Sequence, residues 1–213
     1  MNAIAPLLSE LLRPQSLAEI TLPDDDIRFL EAMVASKSTM NLLFYGKPGA
    51  GKTSTARIIL KEIDADVRIF NGSFNEGDKN LIRMIKGYAY SASLYEQPKV
   101  CFIDEADYLP MSVQEALRFI IEDSFENCRF LMTANNIGKL SNAIQSRCQP
   151  MCFDIRASDR ANIIDRMTQQ YDQKLQQNSI KLETKKIHEI ISLYFPDFRK
   201  IANRFQMETY KAA

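Results

Sequence analysis

The 213-residue chain has no Trp, one His, four Cys and only seven Gly, and its apolar runs are no longer than a β-strand. Such a composition excludes collagen-like and low-complexity chains, and no segment approaches the ~20 apolar residues that cross a bilayer. The cysteines lack the paired CxxC spacing of a zinc site or disulfide framework. No Lys or Arg precedes Arg13, and Glu10 interrupts the first apolar run, so a signal peptide is not indicated. We expect a soluble chain without a membrane partner, located in the cytoplasm (the host cytoplasm if viral).

An excess of charge of either sign is also missing, since 27 Lys and Arg balance 27 Asp and Glu. Residues 1–155 carry sixteen basic against twenty acidic residues, whereas residues 156–213 carry eleven against seven, so the two parts have net charges of −4 and +4. A nucleic-acid partner would therefore be held by local basic patches or by a surface formed in an oligomer, and not by a field of the whole chain.

Short apolar runs alternate with segments of helical period from Asn41 to about residue 155, and after that the strand signals stop. This pattern predicts an α/β domain over residues 1–155, with a five-stranded parallel sheet between helices, and a small helical domain over residues 156–213. Ser158 and Thr184 are the predicted caps of two helices in the second domain. Residues 24–26, three consecutive Asp, are predicted to form a polar turn before a helix. The predicted strands are 41–45, 67–71, 99–103, 128–133 and 150–155, and the predicted helices are 27–35, 53–63, 80–93, 112–123, 157–177, 184–195 and 197–210.

The segment GKPGAGKT, residues 46–53, follows the first predicted strand directly and opens a helix. This is the GxxxxGKT phosphate loop in the strand–loop–helix context that supports it, because glycines let backbone N–H groups point at phosphates and the helix N-terminus favours an anion. Lys52 would reach the β- and γ-phosphates of a nucleotide, and Thr53 would hold Mg²⁺. The candidate nucleotide-binding residues of this segment are Gly46, Pro48, Gly49, Ala50, Gly51, Lys52, Thr53 and Ser54.

A second candidate part of the site lies two strands later, where the apolar run from Val100 to Ile103 ends in the acidic residues Asp104 and Glu105. Acidic strand ends are common in polar turns, but the position of this one relative to the phosphate loop favours a site. Asp104 is the candidate metal ligand, acting through water, and Glu105 can polarise the water that attacks a phosphate. The pair therefore favours an enzyme that hydrolyses the nucleotide over a protein that only holds it.

Three features together resemble an AAA+ ATPase. They are the phosphate loop, the DEAD sequence of residues 104–107 at the end of a strand, and residues 133–135 at the end of the next strand. The resemblance implies that Asn135 is a sensor that positions the attacking water near the γ-phosphate. Ser146-Arg147-Cys148 is similar to the motif of clamp-loader ATPase subunits, the replication factor C small subunits and their tailed-phage counterparts. In that family the Arg acts as a finger in the ATP site of the neighbouring subunit, and an isolated surface Arg is the alternative for Arg147.

Further elements of the same family lie at both ends of the chain. Arg13 and Pro14 resemble an N-terminal element near the adenine. Residues 196–200, PDFRK, resemble the segment in which an Arg of the helical lid, here Arg199, reaches the γ-phosphate; a capped helix start is the alternative. The family's subunits continue into a helical collar domain. This chain stops where that domain would begin, so we expect a shortened chain or a different assembly.

The resemblance implies an ATPase subunit of a DNA-polymerase clamp loader, which binds ATP and Mg²⁺ and assembles with other subunits in a homo- or hetero-oligomeric spiral. The implied partners are a sliding clamp and primer–template DNA. Lys79, Arg83, Lys86 and Arg118 would contact DNA phosphates, or else form a solvated basic face. Two alternatives stay open: an AAA+ helicase-loading or initiator ATPase, and a nucleotide-binding scaffold that does not hydrolyse ATP.

Overall fold

The computed structural model describes residues 7–74, 77–92 and 97–212. The outer ends of the two predicted domains, residues 1 and 213, and the predicted end of one helix at residue 93 lie outside them. The strands are β1 Leu42–Tyr45, β2 Asp66–Asn71, β3 Lys99–Asp104, β4 Arg129–Ala134 and β5 Gln149–Cys152. The α-helices are α1 Leu8–Leu11, α2 Asp24–Ala35, α3 Lys52–Glu62, α4 Asp78–Tyr90, α5 Met111–Asp123, α6 Asn142–Gln145, α7 Ala157–Gln177, α8 Thr184–Tyr194 and α9 Phe198–Ala212.

The five strands form one parallel sheet in the order β2-β3-β4-β1-β5. The predicted fold class is confirmed, including the helical segment after the sheet. Because all the strands are parallel, their carboxyl ends share one edge, and β4 lies between β1 and β3. This order places the loop after β1 beside the ends of β3 and β4, where the sequence predicts the site.

Alternate residues of the central strands are buried on opposite faces of the sheet. On β1, Leu43 packs with the residues of α4 and α5, whereas Leu42 and Phe44 pack with those of α2 and α3. Cys101 and Phe102 of β3 divide in the same way. Both faces are therefore covered by helices, which is why these strands read as continuous apolar runs in the sequence.

The three C-terminal helices α7, α8 and α9 form a third apolar cluster of their own, centred on residues such as Met167, Ile187 and Phe205. Leu8 of the N-terminal helix α1 and Leu12, which follows that helix, belong to the same cluster. The backbone N–H of Leu8 also donates to Gln206 Oε1 of α9 at 2.9 Å. The segment around α1 thus packs on the C-terminal helices α7, α8 and α9, which we call the lid. No helix within the described ranges combines the length and the apolarity that crossing a membrane requires.

Two local predictions are wrong. Asp24–Asp26 are the first turn of α2, not a turn that precedes it, because three carboxylates at a helix N-terminus interact favourably with the helix dipole. Ser158 and Thr184 lie inside α7 and α8, whose caps are Arg156 and Glu183. Both hydroxyls donate to carboxylates instead, that of Ser158 to Asp159 at 3.1 Å and that of Thr184 to Asp172 at 2.9 Å.

Candidate nucleotide-binding site

The first two residues of the loop between β1 and α3 are held by backbone N–H groups that donate to neighbouring segments. Its first N–H, that of Gly46, donates to Ala134 O at the end of β4 at 3.3 Å. The next N–H, that of Lys47, donates to Asp154 Oδ1 at 2.9 Å. Gly51, with a φ of 91°, turns the chain into α3 directly before Lys52. A positive φ of this size suits Gly, so the loop can wrap around a small anion at the helix N-terminus.

Lys52 is buried and its ammonium group lies inside the loop. The Nζ atom donates to Gly46 O at 2.7 Å, to Lys47 O at 2.9 Å and to Asn135 Oδ1 at 3.0 Å. Burial lowers the pKa of Lys52, and the carboxylates of Asp107, Asp154 and Asp104 oppose that shift. The predicted phosphate-binding Lys and the predicted sensor Asn135 are therefore in direct contact.

A hydroxyl and a carboxylate lie side by side at the next position. Thr53 Oγ1 donates to Asp104 Oδ1 at 2.9 Å, and Thr133 Oγ1 donates to the same oxygen at 2.5 Å. Mg²⁺ prefers hard oxygen ligands, binds through one or two carboxylates plus phosphates, and keeps several waters. The oxygens of Thr53 and Asp104 are of this kind and line an open cleft, so the residues present fit the predicted ion.

Glu105 follows in a left-handed conformation, with φ 57° and ψ 44°. Its N–H donates to Thr133 Oγ1 at 2.9 Å, so Thr133 fixes both acidic residues, one through the side chain and one through the backbone. The carboxylate of Glu105 has no hydrogen bond or ion pair within the described part of the chain, and it lines the same cleft as Lys52. A free carboxylate in that position can accept a proton from water.

These groups share one cleft of about 620 Å³ between the carboxyl edge of the sheet, the N-terminal segment and the lid. The predicted site residues that line it are Arg13, Pro14, Pro48, Gly49, Gly51, Lys52, Thr53, Ser54, Asp104, Glu105, Asn135 and Arg199. Gly46 contributes its carbonyl to Lys52 from behind. Ala50 lines a narrow adjoining pocket with Pro14, Tyr171 and Phe198.

The lid touches the phosphate loop directly. The N–H of Phe198, the first residue of α9, donates to Gly49 O at 3.0 Å. Its ring lies 3.0 Å from the position that a Cβ on Gly51 would take. The next residue, Arg199, lines the cleft, and its charge acts to lower the pKa of Lys52, so the two cations lie within electrostatic reach of each other.

Arg147 is the one predicted catalytic residue that the structure places elsewhere, since it is not among the described residues that line the cleft. It follows α6, and its guanidinium forms an ion pair with Glu122 at the end of α5. Arg147 Nη1 also donates to Ala143 O at 2.6 Å and lies 3.4 Å from Ser146 Oγ. The side chain therefore stays on its own surface, which agrees with a role outside the cleft of its own chain.

Three residues of the site carry no predicted role. Thr133 orients Asp104 and Glu105, Asp154 fixes the start of the phosphate loop, and Phe198 connects the loop with the lid. Thr133 could have been found from the sequence, because it precedes Asn135 by two residues and the same side of a strand returns every second residue. The contacts of Asp154 and Phe198 depend on tertiary packing, which has no local signal.

Comparison with known proteins agrees with this geometry. Residues 42–153, from the start of β1 to the residue after β5, match the family described as the ATPase family associated with various cellular activities (AAA). The replication factor C small subunit of Methanosarcina acetivorans is 37% identical over 159 residues, which are 71% of this chain and 47% of that protein. The sliding-clamp-loader large subunit of Escherichia phage RB69 is 27% identical over 217 residues, covering the whole chain and 67% of the phage protein.

Among solved structures, the RuvB Holliday junction branch migration motor of Thermotoga maritima superposes with a TM-score of 0.64 at 24% identity, over 91% of this chain and 63% of that one. This likeness concerns the fold. The chain spans about half the length of the replication factor C relative. The family match covers more than half of the chain and contains the phosphate loop, Asp104, Glu105 and Asn135. The chain therefore belongs to the AAA family of nucleotide-binding ATPases.

Proposed function

We propose that this chain is an ATPase subunit of a DNA-polymerase sliding-clamp loader, which couples ATP binding and hydrolysis to opening a ring-shaped clamp and loading it at primer–template DNA. The observation that supports ATP hydrolysis is the cleft in which Lys52, Asp104, Glu105 and Asn135 meet. Clamp loading is supported by the relatives, since the phage protein is named a sliding-clamp-loader large subunit and the archaeal protein a replication factor C small subunit, the family whose motif residues 146–148 resemble.

The triphosphate of ATP would lie along the phosphate loop, with the ammonium of Lys52 on the β- and γ-phosphates. Thr53 and Asp104 would hold Mg²⁺, which when bound neutralises phosphate charge. The adenine would lie beside the loop towards Pro14, Tyr171 and Phe198, which line a small pocket next to the cleft. Arg13 would lie at the mouth of the cleft near the base.

Hydrolysis needs a water held in line with the γ-phosphate. Glu105 would polarise that water, and Asn135, which touches Lys52 at 3.0 Å, would hold it in place. Arg199 would contact the γ-phosphate from the lid, so the angle of the lid depends on the nucleotide. Arg147 would act in the cleft of a neighbouring subunit, because within its own chain it lies on the surface beside Glu122.

ATP turnover of the subunit, assembled with its partner subunits, tests the proposal. Turnover is measured in three conditions: without DNA, with primer–template DNA, and with both DNA and the sliding clamp of the same organism. We expect turnover to rise with DNA and again with the clamp, and we expect Glu105→Gln to bind ATP but to lose about 10²-fold or more in rate. Stimulation by DNA without any effect of a clamp would favour a helicase-loading or initiator ATPase. Undetectable turnover under all conditions would favour a scaffold.

A further inference from the structure

Glu122 and Arg147 form an ion pair at the surface, between the end of α5 and the turn after α6. Both side chains are partly exposed, at 50% for Glu122 and 25% for Arg147. With Ala143 O and Ser146 Oγ as further acceptors of Nη1, both terminal nitrogens of the guanidinium have partners within the chain. A guanidinium binds a phosphate through two such nitrogens, so Arg147 has to release some of these partners before it can bind a phosphate.

Release of Arg147 leaves the carboxylate of Glu122 without its cationic partner. A carboxylate next to the γ-phosphate of a neighbouring cleft is repelled by that phosphate, and a carboxylate without a partner at an interface is unfavourable. A cation of the neighbouring chain close to the γ-phosphate would remove both costs. The cleft itself carries a candidate for this cation.

Arg57 lines the cleft and is exposed. It lies on α3 one turn after Thr53, so the two side chains emerge on the same side of the helix about 5–6 Å apart. Within the described residues its guanidinium has no ion pair and no hydrogen bond. Arg57 is therefore an exposed cation, without a partner among the described residues, that lines the same cleft as Thr53 one helical turn further along α3.

We propose that Glu122 exchanges partners when two copies of this chain meet: Arg147 moves from Glu122 to the γ-phosphate in the second copy, and Glu122 pairs with Arg57 of that copy. The inference rests on the proposed function, because it requires Arg147 to act in the neighbouring cleft. It adds a second contact between the copies. The intact ion pair of the separate chain keeps Arg147 on its own surface, and the new pair orients the two copies at the cleft.

Charge reversal tests the exchange in the complex assembled from this chain and its partner subunits. Glu122→Lys and Arg57→Glu, each alone, place two like charges at the interface, and we expect each to lower ATP turnover about tenfold at limiting subunit concentration. The double variant restores an opposite pair with the signs reversed, and we expect turnover within about threefold of wild type. Both positions are exposed, so folding is checked by unfolding temperature, and ATP affinity is measured for every variant by direct titration.

Arg147→Ala, measured in the same complex, separates this inference from the proposed function. Loss of turnover in Arg147→Ala together with rescue in the double variant supports the exchange. Loss in Arg147→Ala without any rescue, at unchanged ATP affinity, overturns the pairing of Glu122 with Arg57 and leaves the proposed function intact. Full turnover in Arg147→Ala overturns the action of Arg147 in a neighbouring cleft, and the exchange with it.

Discussion

The ammonium group of Lys52 touches the two carbonyls of residues 46 and 47 and the amide oxygen of Asn135, all inside the loop where a triphosphate would bind. The GxxxxGKT pattern occurs once in the sequence, so no second Lys stands in an equivalent loop. We predict that Lys52→Ala weakens Mg·ATP binding at least about 100-fold, because hydrogen bonds to charged groups contribute about 1.5–3 kcal/mol each and Lys52 would make more than one. Isothermal titration with ATP and Mg²⁺ measures the loss.

Lys61→Ala is the matched control for this prediction. Lys61 lies in the last turn of the same helix, is exposed, and undergoes the same chemical change without touching the loop. We expect its ATP affinity to equal that of wild type. If Lys52→Ala binds ATP as tightly as Lys61→Ala while both fold, the assignment of the phosphate loop is wrong.

Residues whose role follows from a local pattern were predictable from the sequence alone. The sequence places Lys52 by the spacing of the loop, and Asp104 and Glu105 by the end of an apolar strand, and the structure brings all three into one cleft. Glu122 was not predictable, because its contact with Arg147 joins residues 25 positions apart, one on α5 and one in the turn after α6. Such a pair has no signature in a single sequence, since exposed Glu residues on helices are common.

At the scale of elements, the lid and the phosphate loop approach each other closely at Gly49. A Cβ on Gly49 would lie 2.4 Å from Asp197 Oδ1, which itself accepts a hydrogen bond from Lys200 N at the start of α9. We predict that Gly49→Ala pushes α9 from the loop and breaks the hydrogen bond from Phe198 N to Gly49 O. The expected results are an ATP affinity at least tenfold weaker and a free energy of unfolding lower by about 1–3 kcal/mol, measured by titration and by urea denaturation.

Gly77→Ala separates the steric clash from backbone strain. Gly49 and Gly77 have φ values of 79° and 81°, so Ala at either position adopts a conformation that L residues rarely take. At Gly77, however, no described atom lies within 4 Å of the added Cβ. We expect Gly77→Ala to lose some stability but to keep its ATP affinity. Equal losses of affinity in the two variants would show that lid contact does not matter for binding.

The elements themselves were predicted well where periodicity is strong and poorly where tertiary contacts decide. The buried strands and the long lid helix 157–177 follow from apolar patterns, and the structure places α7 at that same range. The short helix α1 was missed, because four residues are too few to show a period. Leu8 of α1 and Leu12, the residue that follows it, are buried because the lid covers them, and that contact joins segments far apart in the sequence.

The strand order of the whole molecule explains why Arg147 cannot serve its own cleft without leaving its present contacts. The phosphate loop follows β1 in the sheet, whereas Arg147 precedes β5 and enters it at the opposite, amino end of that strand. Gln149, the first residue of β5, pairs in register with Leu42, the first residue of β1. Since β1 ends at the loop, Arg147 lies near the start of β1 and away from the loop by the length of the strand.

If Arg147 acts in the cleft of a neighbouring subunit, mixing two defective variants should partly restore ATP turnover. Arg147→Ala alone should leave ATP binding by its own cleft nearly unchanged and should lower turnover of the assembled complex at least tenfold, since arginine fingers contribute about 10³–10⁵ in rate. Arg147→Lys should be nearly as poor, because a point charge cannot replace the planar fork. Glu105→Gln removes the carboxylate of the cleft and keeps Arg147.

In a mixture, an Arg147→Ala subunit that keeps Glu105 can lie next to a Glu105→Gln subunit that keeps Arg147. One orientation of that pair joins an intact Glu105 to an intact Arg147, and this combination cannot form when either variant is alone. We therefore predict that mixed complexes hydrolyse ATP faster than the average of the two separate variants, measured by phosphate release, with co-assembly followed by a mass tag on one of them. Turnover at the simple average, in complexes that contain both variants, would place the action of Arg147 within its own chain, and the surface position beside Glu122 would then need another explanation.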